Sequence, residues 1–206
     1  MPELDPLYGF YESQQTVIEV ERGPFIILGR EIIHDRFGKQ LIADTVVRPD
    51  RTLSEYFWVN FKRPAVLIFP LDDEGNIYLT DEFTYATNRY SIEVPGGSID
   101  LGEYPEQAAR REAREELGLE INSLHHLTTL WAITSPVYNE SHLYLARVAS
   151  VGKAKPEPGE VICLKKVPFT KAVQMVYSGE ISTDSVVAGI LLIKNRLNTQ
   201  GSLENN

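Results

Sequence analysis

Apolar and polar positions alternate along much of this chain, and the alternation breaks at clusters of turn-forming residues. In "TVIEVERGPFIILGREIIHDRFGKQLIADTVVRP", Thr16 to Pro49, β-branched runs are interrupted by Gly23-Pro24 and by "DRFGK". That is the pattern of a small antiparallel sheet with tight turns. "RPAVLIFPLDDEGNIYLTDEF" reads as two strands around the turn Asp72-Asp73-Glu74-Gly75, and "LTTLWAITSPVYNESHLYLARV" as strand, loop, strand. "KPEPGEVICLKKVPF" reads as a turn and a further strand. A helix is expected where Pro105 suits the first turn and Gly118 the left-handed position just past the end. Two more helices close the chain, Thr170–Ser178 and about Thr183 to Leu197, with Ser182, Thr183 or Asp184 available as N-cap. Residues 1–15, polar and proline-containing, read as a loose arm. Strands with a few intervening helices give an α+β chain or an α/β sandwich.

Composition narrows the functional classes. The chain has 206 residues, ordinary hydrophobic content and a net charge of −9. That charge argues against nonspecific nucleic-acid binding, which needs Lys and Arg to neutralise phosphates. An acidic chain can still take an anionic substrate when divalent cations mediate the contact. A single cysteine, Cys163, rules out an internal disulfide and fits a reducing compartment; alone in a strand, it is expected to be a buried small hydrophobe. "MPELDPLYGF" has no basic patch followed by an apolar run, and "VVAGILLI" is too short to span a bilayer. A cytoplasmic protein without membrane contact is expected.

The chemistry concentrates in "GGSIDLGEYPEQAARREAREELGLE", Gly96 to Glu120. At 3.6 residues per turn, Glu112, Glu115 and Glu116 project from one side of the helix, with Arg110, Arg111 and Arg114 mainly on another. Tyr104 is a poor N-cap, so something other than its cap must hold this helix. One reading is a solvated helix laced with pairs such as Arg111 with Glu115. The other starts from Gly96-Gly97, which allow a backbone carbonyl to come close to the acidic face. Carboxylates plus a carbonyl make a hard oxygen site suited to Mg²⁺ or Mn²⁺, and a cation would relieve the repulsion among the acids.

Gly97, five residues, Glu103, seven residues, then Arg111-Glu112-Ala113-Arg114-Glu115-Glu116-Leu117-Gly118-Leu119 resembles the signature of the Nudix hydrolases. Its charged and glycine positions are all filled, with Ala113 where a bulkier aliphatic residue is preferred. The resemblance implies an α/β/α sandwich around a mixed sheet, with a small N-terminal antiparallel sheet. It also implies metal-dependent cleavage of nucleoside diphosphates linked to another group. Carried over by position, Glu112 and Glu116 would be the main metal ligands and Glu115 a further one. The carbonyl of Gly96 or Gly97 would face a metal, and Arg111 would orient Glu103 or the ligand acids. "IEVPGGSIDLGE", "SPVYNES" and "YSGEISTDSVVAGILLI" resemble segments of the subgroup that hydrolyses ADP-ribose and nucleoside-diphosphate sugars.

In the proline loop, Glu140 is the best candidate for the general base, with Glu115 the alternative. Relatives commonly carry an arginine where "DEFTY" has Thr84, and Arg89 is the expected substitute. Pro136 fits the ADP-ribose subgroup, whereas Tyr138 resembles a tyrosine of diadenosine-polyphosphate hydrolases; both are candidate substrate contacts. Tyr56, Phe57 and Trp58 in "YFWVNF" either stack on a base or belong to the core or a subunit interface. His125, His126 and His142 are expected to be structural. The implied organisation is an N-terminal arm and sheet over 1–50 mediating a homodimer, a hydrolase domain over 51–198 and a flexible tail over 199–206. The expected reaction gives AMP plus a sugar phosphate. A silent ADP-ribose-sensing module would be expected to have lost motif acids, all of which are present here.

Overall fold

The computed structural model describes residues 15–156 and 162–200. In chain order the elements are β1 (Gln15–Arg22), β2 (Phe25–Arg36), β3 (Lys39–Val47), β4 (Leu53–Phe61), β5 (Ala65–Leu71), β6 (Asn76–Thr84), β7 (Arg89–Glu93) and β8 (Gly96–Ser98). Then come α1 (Pro105–Leu117), β9 (Leu119–Trp131), β10 (Val137–Tyr138), β11 (Glu140–Val151), β12 (Ile162–Pro168), α2 (Phe169–Ser178) and α3 (Asp184–Gln200). They fall into two compact units. One runs to Lys62 and takes in Ala132–Asn139; the other comprises Arg63–Trp131 and resumes at Glu140.

The first unit is a sheet ordered β1-β2-β3-β4-β10. It exceeds the small antiparallel sheet expected from the sequence in two respects. "YFWVNF" is part of β4, antiparallel to β3 along its length, and β10 adds in parallel through Val137 beside Val59 and Tyr138 beside Asn60. The division therefore falls at Lys62, not at residue 50, because β4 has its hydrogen-bond partners in this sheet. The Phe37-Gly38 tip of the β2–β3 hairpin has positive φ at both residues, as the twist of a tight hairpin requires. The expected arm over 1–15 lies almost wholly outside the described residues.

The second unit is a sheet ordered β12-β6-β5-β11-β9, with β7 on β6 and β8 on β5. β11 runs parallel to β5 and its other pairings are antiparallel, so the sheet is mixed. Strand alternation sorts its side chains into two cores. Val66 and Ile68 of β5 and Tyr144 and Ala146 of β11 pack with Ala108, Ala109, Ala113 and Leu117 of α1. Their neighbours Phe69, Leu71, Leu143 and Leu145 pack with Phe169, Val173 and Met175 of α2 and Val186, Ile190 and Ile193 of α3. Helices on both faces of a mixed sheet make the expected α/β/α sandwich. Gly189 of α3 lies against the buried Phe69 ring, where a Cβ would sit 2.0 Å from Cζ.

The Asp72–Gly75 turn forms as expected, with the Gly75 N–H donating to the Asp72 carbonyl at 3.1 Å. The α3 helix starts at Asp184, Val187 N–H donates to the Thr183 carbonyl, and residues 199–200 of the expected tail are helical. The rest of that tail lies outside the described residues. Cys163 corrects another expectation: it is exposed, because β12 is an edge strand and its outward positions have no covering layer.

Candidate active site

The α1 helix brings the acids together. Tyr104 offers no side-chain cap; instead Gln107 Oε1 accepts from the Tyr104 N–H at 2.9 Å, and Gly118, at φ +67°, ends the helix. The alanines and Leu117 bury one face, which places Glu116 at the edge of the core, only 8% exposed. Glu112 lies half-buried beside it and Glu115 faces outward.

Arg111 ties this face to the preceding loop. Its Nε and Nη2 donate to the two oxygens of Glu103 at 3.0 and 2.9 Å, and Nη2 also donates to the Ser98 carbonyl at 3.0 Å. Nη1 donates to Glu112 at 2.7 Å and to Glu115 at 3.2 Å. The Arg111 guanidinium holds the Glu103 carboxyl below the usual range despite partial burial, and Glu103 with Glu112 and Glu115 holds Arg111 firmly protonated. The acids thus have a counter-charge within the protein. The salt-bridge reading of Arg111 and its orienting role coincide.

The glycines form a short strand, β8, where a loop was expected. Gly96 is required by space, and Gly97 leaves room for the Glu112 carboxylate. A Cβ on Gly97 would lie 2.3 Å from Glu112 Oε1, and one on Gly96 would lie 2.3 Å from the Val66 carbonyl oxygen. Pro95 O accepts from Ile68 N–H and Pro64 O from Ile99 N–H. Antiparallel alternation then puts Gly97 in a hydrogen-bonded pair with Val66 and leaves the Gly96 backbone turned away from β5. Consistently, the Gly96 N–H reaches Glu116 Oε2 at 3.4 Å.

A hollow of about 250 Å³ opens here, lined by Gly96, Gly97, Glu112, Glu115, Glu116 and Arg111, with Arg63, Ser98 and Asp100 completing it. Among the described residues no three acidic, histidine or cysteine side chains converge tightly enough to clasp a cation as they stand. The arginine-paired arrangement accounts for that. The donor chemistry nevertheless fits a hard divalent ion: the hollow offers carboxylate and carbonyl oxygens with no sulfur or imidazole, and Gly97 keeps clear the space before Glu112.

Arg63 is the cation that sequence reading missed. It donates to Asp100 at 2.7 Å on the rim, and only the pairing of β5 with β8 brings it there. Arg89 does not line the hollow; it opens β7, exposed, with Nη2 3.4 Å from Ser182 Oγ. Glu140 is also corrected in setting: it is the first residue of β11, paired with Trp131, and not a loop residue. Ser141 stands level with Ala65, and Ala65 with Ser98. Glu140 therefore lies two strand spacings, about 10 Å, from the end of β8. It shares the sheet face of Tyr144 and α1. His142 Nε2 is 3.2 Å from its Oε1.

Pro136 and Tyr138 lie in the first unit. With Arg22, Phe25, Tyr56 and Trp58 they line a cavity of about 330 Å³. Trp58 forms its wall, its Nε1–H donating to the buried Asp44 at 2.9 Å, with Arg22 and Arg30 at 4.8 and 5.2 Å from the ring centre. Arg30 grips Asp44 through Nε and Nη2 at 2.7 and 2.9 Å.

A mixed sheet between helices, carrying an arginine-tied acid helix against a glycine strand, is the arrangement of a Nudix domain. The NUDIX domain family matches residues 61–185, and the chain belongs to that family, as a hydrolase of phosphorus anhydrides. Nudix hydrolases use divalent metal ions. The chain is 28% identical over 167 residues to the CMP-5'-(N-acetyl-N-hydroxy-3-aminopropyl)phosphonate hydrolase of Streptomyces rubellomurinus, covering 80% of each. It is 32% identical over 121 residues to the ADP-ribose pyrophosphatase of Bacillus subtilis, covering 57% of this chain and 64% of that one. A crystal structure of an ADP compounds hydrolase shares the fold, with a TM-score of 0.76, 22% identity and coverage of 85% of this chain and 95% of the other.

Proposed function

We propose that this enzyme hydrolyses the diphosphate of ADP-ribose or a similar nucleotide sugar, releasing AMP and a sugar phosphate. The observation that carries the reading is the α1 acid face set against Gly96-Gly97 in an oxygen-lined hollow. Similarity to an ADP-ribose pyrophosphatase supports the choice of substrate. In this reading Glu112, Glu116 and the Gly96 carbonyl hold Mg²⁺ or Mn²⁺, with Glu115 a further ligand and Gly97 keeping the approach open. When bound, the cation supplies charge neutralisation at the phosphoryl oxygens and acidifies water. Arg111 holds Glu103, Glu112 and Glu115 in register. Arg63 offers the hollow's rim a cation for phosphate, a role first assigned to Arg89. Glu140 accepts the proton of the attacking water, and the gap of about 10 Å from β8 leaves room for a phosphoryl group and that water. Pro136 and Tyr138 are proposed substrate contacts and, with Trp58, line the cavity of the first unit.

A second reading is favoured by the relative matched over 80% of its length: cleavage of a nucleoside monophosphate linked to a phosphonate. The test is a panel of ADP-ribose, nucleotide sugars, a CMP-linked phosphonate, diadenosine polyphosphates and NADH, with products identified. ADP-ribose giving AMP with the highest kcat/KM supports the first reading, and preference for the CMP compound supports the second. Full turnover in excess EDTA would remove the metal from either.

We further propose a homodimer through the first unit. Ile26, Leu28, Ile32 and Ile33 of β2 and Leu41 of β3 each leave more than a third of their surface exposed. Such a run of apolar surface on one sheet marks an association face. A cytoplasmic location fits the exposed Cys163. Among the described residues no helix is long and apolar enough to cross a membrane.

A further inference from the structure

The β9–β11 ladder carries a chain of polar side chains that ends on Glu140. His142 and Thr129 are directly opposite each other across the two strands, and Tyr144 is opposite His126. His142 Nε2 is 3.2 Å from Glu140 Oε1, and His142 Nδ1 is 3.2 Å from Thr129 Oγ1. Thr129 Oγ1 is in turn 3.1 Å from His126 Nε2. The His126 ring meets the Tyr144 ring edge-on at 5.4 Å, and Tyr144 donates its hydroxyl to Glu106 of α1 at 3.1 Å. The network is thereby anchored to the same helix that carries the acids.

Hydrogen-bond bookkeeping gives this chain a direction. A carboxylate only accepts, so a hydrogen bond across the 3.2 Å between His142 Nε2 and Glu140 Oε1 would place a proton on Nε2. A neutral imidazole then presents Nδ1 as an acceptor, which the Thr129 hydroxyl satisfies by donating. In that arrangement Thr129 Oγ1, having donated, accepts from His126 Nε2–H. Each member fixes the next, and the sequence of donors runs toward Glu140. By the parallel register, His142 also stands level with Val66 and Gly97, the height at which the hollow opens.

We propose that His142 is a positioning residue for catalysis: Thr129 locks it in the Nε2–H tautomer, and it holds one oxygen of Glu140 so that the other is presented to the attacking water. The inference rests on the reading of Glu140 as the base. It resembles the way a metal-bound histidine is oriented by its outer partner, where loss of that partner costs about 10- to 100-fold in activity. His142 does not touch substrate in this scheme and acts only through the carboxylate it holds.

The test compares His142→Ala, His142→Gln, Thr129→Val and Glu140→Gln with Mg²⁺ and ADP-ribose. His142→Ala should lower kcat by roughly 10- to 100-fold with KM and the Mg²⁺-induced rise in Tm unchanged. His142→Gln, whose amide N–H can reach Glu140, should restore most of that loss. Long-range ¹⁵N–¹H correlation spectra of the wild-type protein should show His142 protonated at Nε2, and Thr129→Val should move that proton toward Nδ1. An unchanged kcat in His142→Ala, alongside an impaired Glu140→Gln, would overturn the positioning role while leaving the base in place. Wild-type turnover by Glu140→Gln would instead overturn the base reading, and this inference with it. A loss in His142→Ala that glutamine fails to restore, or a wild-type His142 protonated at Nδ1, would also overturn it. The spectrum needs no variant, so the outcome stands even if His142→Ala does not fold.

Discussion

At the scale of single residues, Gly96 and Gly97 are adjacent and both closely packed, yet their substitution should have opposite consequences. Alanine at 96 would drive its Cβ to 2.3 Å from a backbone oxygen of β5, which cannot move without breaking the β8–β5 pairing. Gly96→Ala should therefore lower Tm along with activity. Alanine at 97 meets only the end of the Glu112 side chain, which can swing aside. Gly97→Ala should keep a near-native Tm and lose most activity, because Glu112 would leave its place beside Arg111. Equal losses of Tm in the two variants would show that Glu112 is as fixed as the backbone. The acids and glycines of this site were legible in the sequence because they lie on one helix and one short strand, where spacing alone sets their geometry. Arg63 was not, since strand register places it. Glu140 was found as a candidate, but its strand setting and its histidine partner depend on the β9–β11 register.

At the scale of elements, the β5–β6 turn and α3 give two tests of what holds the sandwich. Burial opposes ionisation of Asp72, but hydrogen bonds from Lys166 at 2.8 Å and from the Asn76 N–H at 2.8 Å outweigh it and hold the carboxyl at about 2. A carboxyl depressed in the folded state stabilises fully above its unfolded value, 3.8, and loses that contribution as pH falls through about 2. Urea unfolding between pH 4 and 2 should show wild type losing stability faster than Asp72→Asn; parallel curves would mean the turn does not depend on this charge. In α3, replacing a helical glycine with alanine would ordinarily gain about 1 kcal/mol. At Gly189 the added methyl would enter the Phe69 ring, and overpacking costs about 1–3 kcal/mol. The clash wins, so Gly189→Ala should melt lower than wild type, whereas a higher Tm would mean the Phe69 ring turns away. Most helices and strands were legible from periodicity and turn residues. The β4 strand was not read as one because its partly exposed residues do not alternate cleanly, and Cys163 was misplaced because strand order, not composition, decides which edge lies open.

For the whole molecule, the proposed dimer should appear as twice the chain mass in light scattering at micromolar concentration, and charged substitutions at Ile32 and Ile33 should halve it. A monomeric wild type would refute the association face on β2 and β3. The two units are also not consecutive along the chain. After completing β9, the chain returns to the first unit for Ala132–Asn139, lays β10 beside β4, and only then enters β11. Within that unit, Val59 donates its N–H to the Pro136 carbonyl at 2.8 Å. Cutting at residue 62 would thus not excise a module: a fragment beginning at Arg63 would keep the β10 strand while losing the edge it pairs with. The segment left dangling joins the two strands that carry Thr129, Glu140 and His142, so a gene shortened to its family-matching portion should make a poorer enzyme than the whole chain even with every motif acid intact.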